Sequence, residues 1–396
     1  MTTLDARQDS APKVNFLNDP VIRGIVYQAV VTAVLIVFFA WIIGNTATNL
    51  AAQNKSTGYE FLWAASGFDI SFKIIDYSRS STYFQTLLVG ITNTLLVAFA
   101  GIVFATILGF TIGIARLSSN FIVSSIATVY VETIRNIPLL LQLFFWYFAV
   151  LATMPAVRDS IALPLGSFIN KRGIYVPRPV PDGQFVFVLV ALVIAIVAIV
   201  AVRLWARGRL EATGKRFPVF ATAIGLLLVI VGGVWLVSGF NLAFEPPVLQ
   251  GFNFRGGLEL PPEFVALLFG LSIYTASFIA EIVRGGIQAV NKGQTEAADS
   301  LGLREGDRLR LVIVPQAMRV IIPPLTSQYL NLTKNSSLGA AIGYPELFNV
   351  FGSTALNQSS RAIECISITM LVYLSFSLIT SAIMNWYNAR VSLVER

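Results

Sequence analysis

Long apolar runs alternate with shorter polar stretches along the whole chain. Each run is close to or above the roughly 20 residues that an α-helix needs to cross the hydrocarbon core of a bilayer. Because backbone polar groups must be satisfied internally in lipid, the pattern predicts an all-α integral membrane protein with about eight transmembrane helices. The predicted spans cover residues 24–44, 86–114, 125–153, 185–202, 217–237, 264–287, 311–332 and 362–386.

The polar stretches divide the chain into an N-terminal part, residues 1–81, and a transmembrane domain, residues 82–390. No clear cleavage site follows the first span, so we interpret this span as an anchor and not as a removed signal peptide. Residues 45–81 are predicted to form an outer segment, of which residues 61–70 and 77–79 lie on the membrane surface, because Trp63 and the tyrosines suit the interface. An insertion, residues 154–262, interrupts the transmembrane domain and contains two extra transmembrane helices.

The distribution of basic residues predicts that both termini lie in the cytoplasm, including a short polar tail, residues 1–20. Residues 154–184 are interpreted as a proline-rich loop, whereas residues 203–216 connect two spans and are strongly basic. In this orientation about sixteen Lys and Arg fall on inner segments and about ten on outer ones, in agreement with the positive-inside rule. The net charge of +7 therefore reflects membrane topology, and no nucleic-acid partner is predicted.

The composition excludes several kinds of chemistry. The chain is 55% hydrophobic and 12% charged, with no histidine and one cysteine, Cys365. We therefore predict no metal site and no intrachain disulfide. Gly214 and Lys215 resemble the end of a phosphate-binding loop, but Arg209 and Arg216 stand where that loop requires Gly and Ser or Thr. The chain is thus predicted not to be an enzyme and not to hydrolyse ATP itself.

Two further patterns concern helix packing. Gly109 and Gly113 form a GxxxG motif, which allows close helix approach, although the flexibility of a glycine-rich helix explains the motif equally well. Glu132 and Arg135 lie three residues apart near the inner end of the third span, and we expect them to pair on one helix face. A role in gating is the alternative for this pair.

Polar side chains at membrane depth are the candidates for substrate handling, because such groups are costly in lipid and usually face a cavity or another helix. For serine and threonine, a hydrogen bond to the backbone of their own helix is the competing explanation. Glu281 either lines a cavity or forms an ion pair with Arg284 near the inner surface. The candidates are Asn93, Thr94, Gln142, Thr275, Ser277, Glu281, Gln328, Asn331, Lys334, Asn335, Ser336 and Ser337.

The seventh span carries three prolines, Pro315, Pro323 and Pro324. Each removes a backbone hydrogen bond and is expected to kink or interrupt the helix, which is tolerated where the backbone is buried or lines a cavity. Residues 334–352 follow, and they are neither apolar enough to span the membrane nor long enough to form a domain. We predict a re-entrant or gate segment there.

Residues 281–315 place ten charged residues between two apolar runs, which predicts a sizeable loop in water. Thr295 is predicted to be the N-cap of a short helix, with Glu296 and Asp299 in its first turn, and Gly302 is predicted to end it in a left-handed conformation. So short a helix is marginal alone in water. We therefore expect it to be held by the membrane helices behind it and by a protein partner in front.

The spacing within this loop resembles the EAA loop of the permeases of ATP-binding-cassette (ABC) importers. That loop follows the pattern E-A-A-x3-G-x9-I-x-L-P, and this chain matches it with Glu296, Ala297, Ala298, Gly302 and Pro315, and with valine at two other positions. Four more segments are similar to the polar amino-acid branch of this family: TLLVAFAGIVFATILGFTIGIARLS, VETIRNIPLLLQLFFWYF, YTASFIAEIVRGGIQAVNKGQ and KNSSLGAAIGYPEL. The N-terminal extension and the insertion are similar to the general L-amino-acid systems.

The resemblance implies a type I importer core in the inner membrane of a bacterium, and a cytoplasmic coupling helix between Glu296 and Gly302. It implies four kinds of partner: a second related permease in a heterodimer, two ATPase subunits, a periplasmic amino-acid-binding protein and the lipid bilayer. No cofactor is expected in this chain, since ATP and Mg would be bound by the ATPase subunits. ATP binding would close those subunits and rock the membrane helices from inward-facing to outward-facing.

Two other classes of function are less well supported by the sequence. A secondary transporter or channel driven by an ion gradient would show paired broken helices in an inverted repeat and an acidic residue at the midplane. No convincing repeat is present, and the EAA spacing has no purpose in such a protein. A membrane-embedded enzyme would need a nucleophile, a base and an orienting group, and no such set is found.

Overall fold

A computed structural model describes residues 20–52, 58–180, 185–214, 217–238 and 243–391. Within these ranges seven helices are long and apolar enough to cross a membrane, or eight if one bent helix pair is counted as a span. The prediction of an all-α membrane protein with about eight transmembrane helices is therefore confirmed. The predicted polar tail lies outside the described ranges, apart from its last residue.

The first part of the chain forms four helices. Helix α2 begins where Thr82 accepts a hydrogen bond from the Gln85 amide and Gln85 accepts one from the Thr82 amide, which is a capping box. The elements are α1 (Pro20–Ala52), a 3₁₀ turn (Glu60–Trp63), α2 (Tyr83–Ala115), α3 (Phe121–Asn136), α4 (Leu139–Phe144) and a π-helical stretch (Phe145–Leu151).

The third predicted span, residues 125–153, is present as a bent helix pair and not as one straight helix. Helix α3 and the segment Leu139–Leu151 are bent by 105° at a short break. Pro138 explains the break, because proline cannot donate a backbone hydrogen bond and the residue before it avoids the helical region. Ile137 is accordingly extended, with φ −98° and ψ 126°.

The outer segment before α2 folds against the protein core, and only some of its side chains stay exposed as expected for the membrane surface. Phe61 is buried against Tyr83 and Phe351. Tyr77 is also buried, and its hydroxyl lies 2.7 Å from the Ser66 hydroxyl oxygen and 3.0 Å from that of Thr86. Trp63, in contrast, is 70% exposed, in agreement with a place at the interface.

The insertion contains short antiparallel strands as well as the two predicted spans. Residues 154–184, which we interpreted as a loop, hold four of these strands, and α5 continues through most of the basic connector. The elements are β1 (Ile161–Leu163), β2 (Ser167–Asn170), β3 (Gly173–Val176), β4 (Arg178–Val180), α5 (Phe185–Thr213), α6 (Val219–Leu226), a π-helical stretch (Leu227–Val231), α7 (Gly232–Ser238), β5 (Ala243–Glu245), β6 (Val248–Gln250), β7 (Asn253–Arg255) and β8 (Leu258–Leu260). The strands pair in the orders β1-β2-β3-β8, β4-β5 and β6-β7.

The C-terminal part returns to the membrane. Pro323 and Pro324 lie inside α11, which continues through both. The helix interruption that we predicted as one effect of these prolines is therefore absent. The elements are α8 (Pro262–Gln288), α9 (Lys292–Ser300), α10 (Glu305–Arg308), a π-helical stretch (Leu309–Ile313), α11 (Val314–Asn335), a 3₁₀ stretch (Ser336–Ile342), a second π-helical stretch (Phe348–Ala355), α12 (Leu356–Ser359) and α13 (Ala362–Val391).

The hydrophobic core lies where α8 packs against α2, α4 and α11. The GxxxG glycines of α2 allow this contact: a Cβ atom on Gly109 would lie 2.6 Å from Cβ of Ile279, and one on Gly113 would lie 2.7 Å from the Ala280 carbonyl oxygen. Close helix approach is therefore the correct interpretation of the motif. Because α8 and α11 pack against each other and against α2, this packing fixes the positions of the loop after α8 and of the residues after α11 with respect to α2.

Candidate functional site

The predicted coupling segment is a short helix, α9, but its start differs from the prediction. The side chain of Asn291 is the N-cap and accepts a hydrogen bond of 2.8 Å from the Gly293 amide, so Thr295 lies inside the helix. The end agrees with the prediction, because Gly302 is left-handed with φ +69°. The Leu303 amide donates to the Ala298 carbonyl and the Gly302 amide to the Asp299 carbonyl, which together form a Schellman motif.

Side-chain contacts attach α9 to the ends of the membrane helices. Arg308 donates to Asp299 at 2.6 Å, and Gln316 at the start of α11 donates to Gln294 at 3.1 Å. Ala298 is buried, whereas Glu296 and Ala297 beside it are exposed. The helix is thus held on one face and presents its other face outward.

The outward face ends in an unusual apolar projection. Leu301, directly before Gly302, is 80% exposed, whereas Leu311, which is 63% exposed, already belongs to the seventh membrane span. Pro315 is also exposed, in the first turn of α11. A protein partner is the natural cover for large apolar side chains that are presented on a polar loop.

An ion-pair network joins the neighbouring ends of α2, α3 and α8. Glu281 pairs with Arg284 at 2.5 Å, as one of our two interpretations predicted, and also with Arg116 of α2. Glu132 pairs with Arg116 at 3.3 Å, so its predicted pairing with Arg135 is wrong. Arg135 instead lies over the ring of Phe278, 5.1 Å from its centre.

Asn93 and Thr94 hold the predicted gate segment, residues 334–352, against α2. The Asn93 side-chain amide nitrogen donates to the Phe72 and Pro345 carbonyls at 2.9 and 2.8 Å, and the Asn93 backbone carbonyl accepts from the Tyr344 hydroxyl at 3.0 Å. The Thr94 hydroxyl oxygen accepts from the Leu347 amide at 3.0 Å. Both side chains are fully buried, and their contacts favour a positioning role.

Replacing Asn93 by alanine should destabilise the protein, because the buried Pro345 carbonyl and the partly buried Phe72 carbonyl lose their donor. We expect a loss of about 1–3 kcal/mol in the free energy of unfolding, the usual cost of unsatisfied buried polar groups. Thr111→Ala is the control, since Thr111 lies exposed on the same helix and its hydroxyl donates to the Ile107 carbonyl of that helix. Unfolding of both purified variants in denaturant measures the difference, and equal stability would contradict the role given to Asn93.

Several other candidates bond to nearby backbone. Gln142 donates to the Ile134 and Ile137 carbonyls at 3.0 and 2.9 Å and so closes the break between α3 and α4. Ser277, Ser336 and Ser337 each donate to a carbonyl three residues earlier, which is the competing explanation offered for serines. Thr275 is buried in α8.

The remaining candidates share one face of α11. Gln328, Asn331 and Asn335 follow a helical repeat of three and four residues, and Asn331 and Lys334 are exposed. Polar groups on a membrane helix face a cavity or another protein and not lipid. This stripe is therefore the part of the predicted substrate path that has the character of a lining surface.

Glu346 is a buried acidic residue of the gate segment and is not among the predicted candidates. It accepts hydrogen bonds from the Phe348 and Asn349 amides, both at 2.7 Å, and from the Tyr373 hydroxyl of α13 at 2.8 Å. Its carboxylate therefore caps the helical stretch that starts at Phe348. An acidic residue directly after Pro345, in a segment with no other acidic side chain, is the signal that could have identified it.

No three His, Cys, Asp or Glu side chains within the described ranges are placed so that they could hold a metal ion.

Known proteins that are similar to this chain are membrane components of transport systems. The family described as "Binding-protein-dependent transport system inner membrane component" matches residues 101–393. The general L-amino acid transport system permease protein AapQ of Rhizobium johnstonii is 53% identical over 378 residues, which cover 96% of this chain and 94% of AapQ.

Two other relatives match over nearly their whole length. The putative amino-acid ABC transporter permease protein YhdX of Escherichia coli is 47% identical over 387 residues, which are 97% of each chain. The glutamate/glutamine/aspartate/asparagine transport system permease protein BztB of Rhodobacter capsulatus is 40% identical over 421 aligned positions, covering 97% of this chain and 98% of BztB.

Proposed function

Because the chain belongs to the family of binding-protein-dependent transport system inner membrane components, we propose that it is the permease subunit of an ABC importer for polar L-amino acids. The names of the relatives support the substrate class: one is a general L-amino acid system, and another carries glutamate, glutamine, aspartate and asparagine. A permease of this kind is a transport subunit and not itself an enzyme. Its transmembrane domain is residues 82–390, with residues 154–262 as an insertion.

The outward face of α9 couples transport to ATP hydrolysis by a separate subunit. The observation that carries this step is the attachment of α9 to the membrane helices through Arg308 and Gln316, while Glu296, Ala297 and Leu301 remain exposed. A short helix held in this way transmits a push from a docked partner to α8 and α11. ATP and Mg belong to that partner, which closes a groove on α9 when it binds ATP.

The polar stripe of α11 forms one wall of the substrate path, and a second, related permease forms the other. Gln328, Asn331 and Lys334 then face a water-filled passage and not lipid. The gate segment after Lys334 closes the passage on its outer side. Movement of α11 relative to α2 would open it when the coupling helices of both permeases approach each other.

The orientation follows from the distribution of basic residues. With α9 in the cytoplasm, both termini are cytoplasmic, and the outer segment and the short strands of the insertion face the periplasm. A periplasmic amino-acid-binding protein delivers the substrate on that side. The complex then lies in the bacterial inner membrane with its ATPase subunits inside.

The experiment that tests this function is amino-acid uptake into membrane vesicles prepared with the products of the neighbouring genes. We expect uptake that requires ATP on the cytoplasmic side and a binding protein on the other, and that continues when an ionophore collapses the ion gradients. Uptake that proceeds without ATP and stops with the ionophore would overturn the importer assignment in favour of a gradient-driven transporter.

A further inference from the structure

A charged cavity lies where the insertion meets the core. It has a volume of about 600 Å³, and its polar lining comes from four parts of the chain: the outer segment, the π-helical stretch Phe145–Leu151, the insertion and the start of α8. This volume lies within the range of small-molecule sites. Its ionisable lining residues are Lys73, Tyr147, Lys171, Arg172, Glu259 and Glu263.

Two of the cations are presented by the tight turn between β2 and β3. Asn170 pairs with Gly173 across this hairpin, so Lys171 and Arg172 form its tip. Asn170 is fully buried and accepts from the Arg172 amide at 2.8 Å, while the Lys171 amide donates to the Pro155 carbonyl at 3.0 Å. The backbone of the tip is thus held from both sides, and both side chains are exposed.

The hairpin is joined to the most buried helix of the core. Strand β3 pairs with β8, with Ile174 opposite Leu260, and β8 leads directly into α8. A Cβ atom on Gly173 would lie 2.1 Å from the Leu260 carbonyl oxygen, so this approach requires glycine. The cationic tip therefore has a constant position relative to α8.

Each acidic residue of the cavity accepts one hydrogen bond from a neutral tyrosine hydroxyl and keeps further acceptor positions on its carboxylate. Glu263 accepts from the Tyr147 hydroxyl and Glu259 from the Tyr175 hydroxyl, each at 2.9 Å. Burial, followed by the hydrogen bond with Glu259, raises the pKa of Tyr175 far above its ordinary value, so this hydroxyl stays protonated and donates. Lys73 is paired with Asp69 at 2.8 Å, whereas Lys171 and Arg172 have no ion-pair partner among the described residues.

The cavity lies next to the gate segment. Phe72, one of its lining residues, packs against Phe264 at 5.8 Å and Tyr344 at 6.1 Å between ring centres. The Phe72 carbonyl also accepts from Asn93, which holds Pro345. A molecule in the cavity would therefore contact the outer segment just above the segment that closes the substrate path.

We propose that this cavity is a binding site for free zwitterionic amino acids on the outer side of the permease, with the substrate carboxylate held by Lys171 and Arg172. The inference rests on the proposed function for the identity of the ligand. The two unpaired cations fit a carboxylate, and Glu259 and Glu263 provide acceptors for the ammonium group. The site gives the insertion a role: it holds the substrate at the entrance after release from the binding protein.

Protection of a cysteine in the cavity from a thiol reagent tests this site. Ser71 is an exposed lining residue, and Cys365 is buried, so Ser71→Cys provides a reactive thiol over a low background. Unsealed membranes containing the full chain and uncharged N-ethylmaleimide make the result independent of membrane sidedness. We expect L-glutamine at about ten times its Kd to slow the reaction about tenfold, because modification then requires the free site.

The ligand specificity and two control variants make the test decisive. n-Butylamine, which lacks a carboxylate, should not protect, and Lys171→Gln with Arg172→Gln should abolish protection by L-glutamine. Arg178→Gln should preserve protection, because Arg178 pairs with Glu245 across β4 and β5 and does not line the cavity. Ser80→Cys, exposed in the same outer segment, should react at the same rate with and without L-glutamine.

Three outcomes would overturn the proposal. Protection that persists in the double variant would mean that the amino acid binds elsewhere. Absence of protection by any amino acid would remove the site. Shielding of Ser71→Cys by the binding protein alone would make the tip a protein-docking surface. None of these results depends on ATP or uptake, so failure of the importer assignment is detected separately in the vesicle assay.

Discussion

Replacing Gly302 by aspartate is expected to reduce amino-acid uptake at least about tenfold, which corresponds to about 1.4 kcal/mol of lost coupling free energy. Gly302 has φ +69°, and a Cβ atom added there would have no other atom within 4 Å, so a side chain has space in the isolated chain. The left-handed conformation costs a non-glycine residue about 1–2 kcal/mol. The larger effect comes from an unpaired carboxylate beside Leu301, on the face that we assign to the ATPase subunit.

Two other substitutions separate charge from backbone conformation. In Gly302→Asn the new side chain has nearly the shape of aspartate but no charge, and asparagine tolerates the left-handed conformation. We therefore expect Gly302→Asn to keep more uptake than Gly302→Asp. Gly306→Asp is the matched control, because Gly306 has open space around it and no positive φ. It should leave uptake within about twofold of the wild type, as is usual for surface changes. Normal uptake by Gly302→Asp would remove α9 from the coupling mechanism.

The sequence was sufficient for features that depend on neighbouring residues. The apolar runs predicted the membrane helices, and Gly302 was correctly assigned to the left-handed end of α9. The pair between Glu281 and Arg284 was also predicted, because residues three apart meet on one face of a helix. The predicted start of α9 was wrong because asparagine and threonine are both good N-caps, and the local sequence does not decide between Asn291 and Thr295. The helix starts after Asn291.

Features that depend on distant residues could not be predicted in this way. Arg116 pairs with Glu132 and Glu281 because α2 packs against α3 and α8, and no local pattern shows that packing. The short strands of the insertion were missed for a similar reason. Each has three or four residues, and β3 finds its partner β8 only after two membrane spans have intervened. The break at Pro138, however, was readable from the proline itself.

For the substrate-path candidates, too, the sequence indicates a polar residue within a span, whereas its surroundings depend on distant residues. A polar residue at membrane depth signals a buried partner but does not identify it. Asn93 and Gln142 have their donors satisfied by backbone carbonyls, whereas Asn331 and Lys334 are exposed. Only the packing of α11 distinguishes the second group, so the polar stripe emerged from the structure and not from polarity alone.

Replacing Gly109 by alanine should cause the largest loss of stability of any glycine-to-alanine change that we compare. The new Cβ atom would lie 2.6 Å from Cβ of Ile279, and a β-branched residue on a packed helix cannot rotate away. Overpacking of this kind costs about 1–3 kcal/mol. In a membrane protein the contact between α2 and α8 depends on such close packing, since lipid provides no hydrophobic drive between helices.

Two other glycines provide a graded comparison. A Cβ atom on Gly101 would lie 3.2 Å from the end of the flexible Leu332 side chain, so Gly101→Ala should cost less. Gly233 in α7 has nothing within 4 Å, and Gly233→Ala should be neutral or stabilising by up to about 1 kcal/mol, because alanine favours helix. Apparent melting temperatures of the purified variants should follow this order. If Gly109→Ala melts with or above Gly233→Ala, helices α2 and α8 do not approach as closely as described, and the ion pair between Arg116 and Glu281 loses its geometric basis.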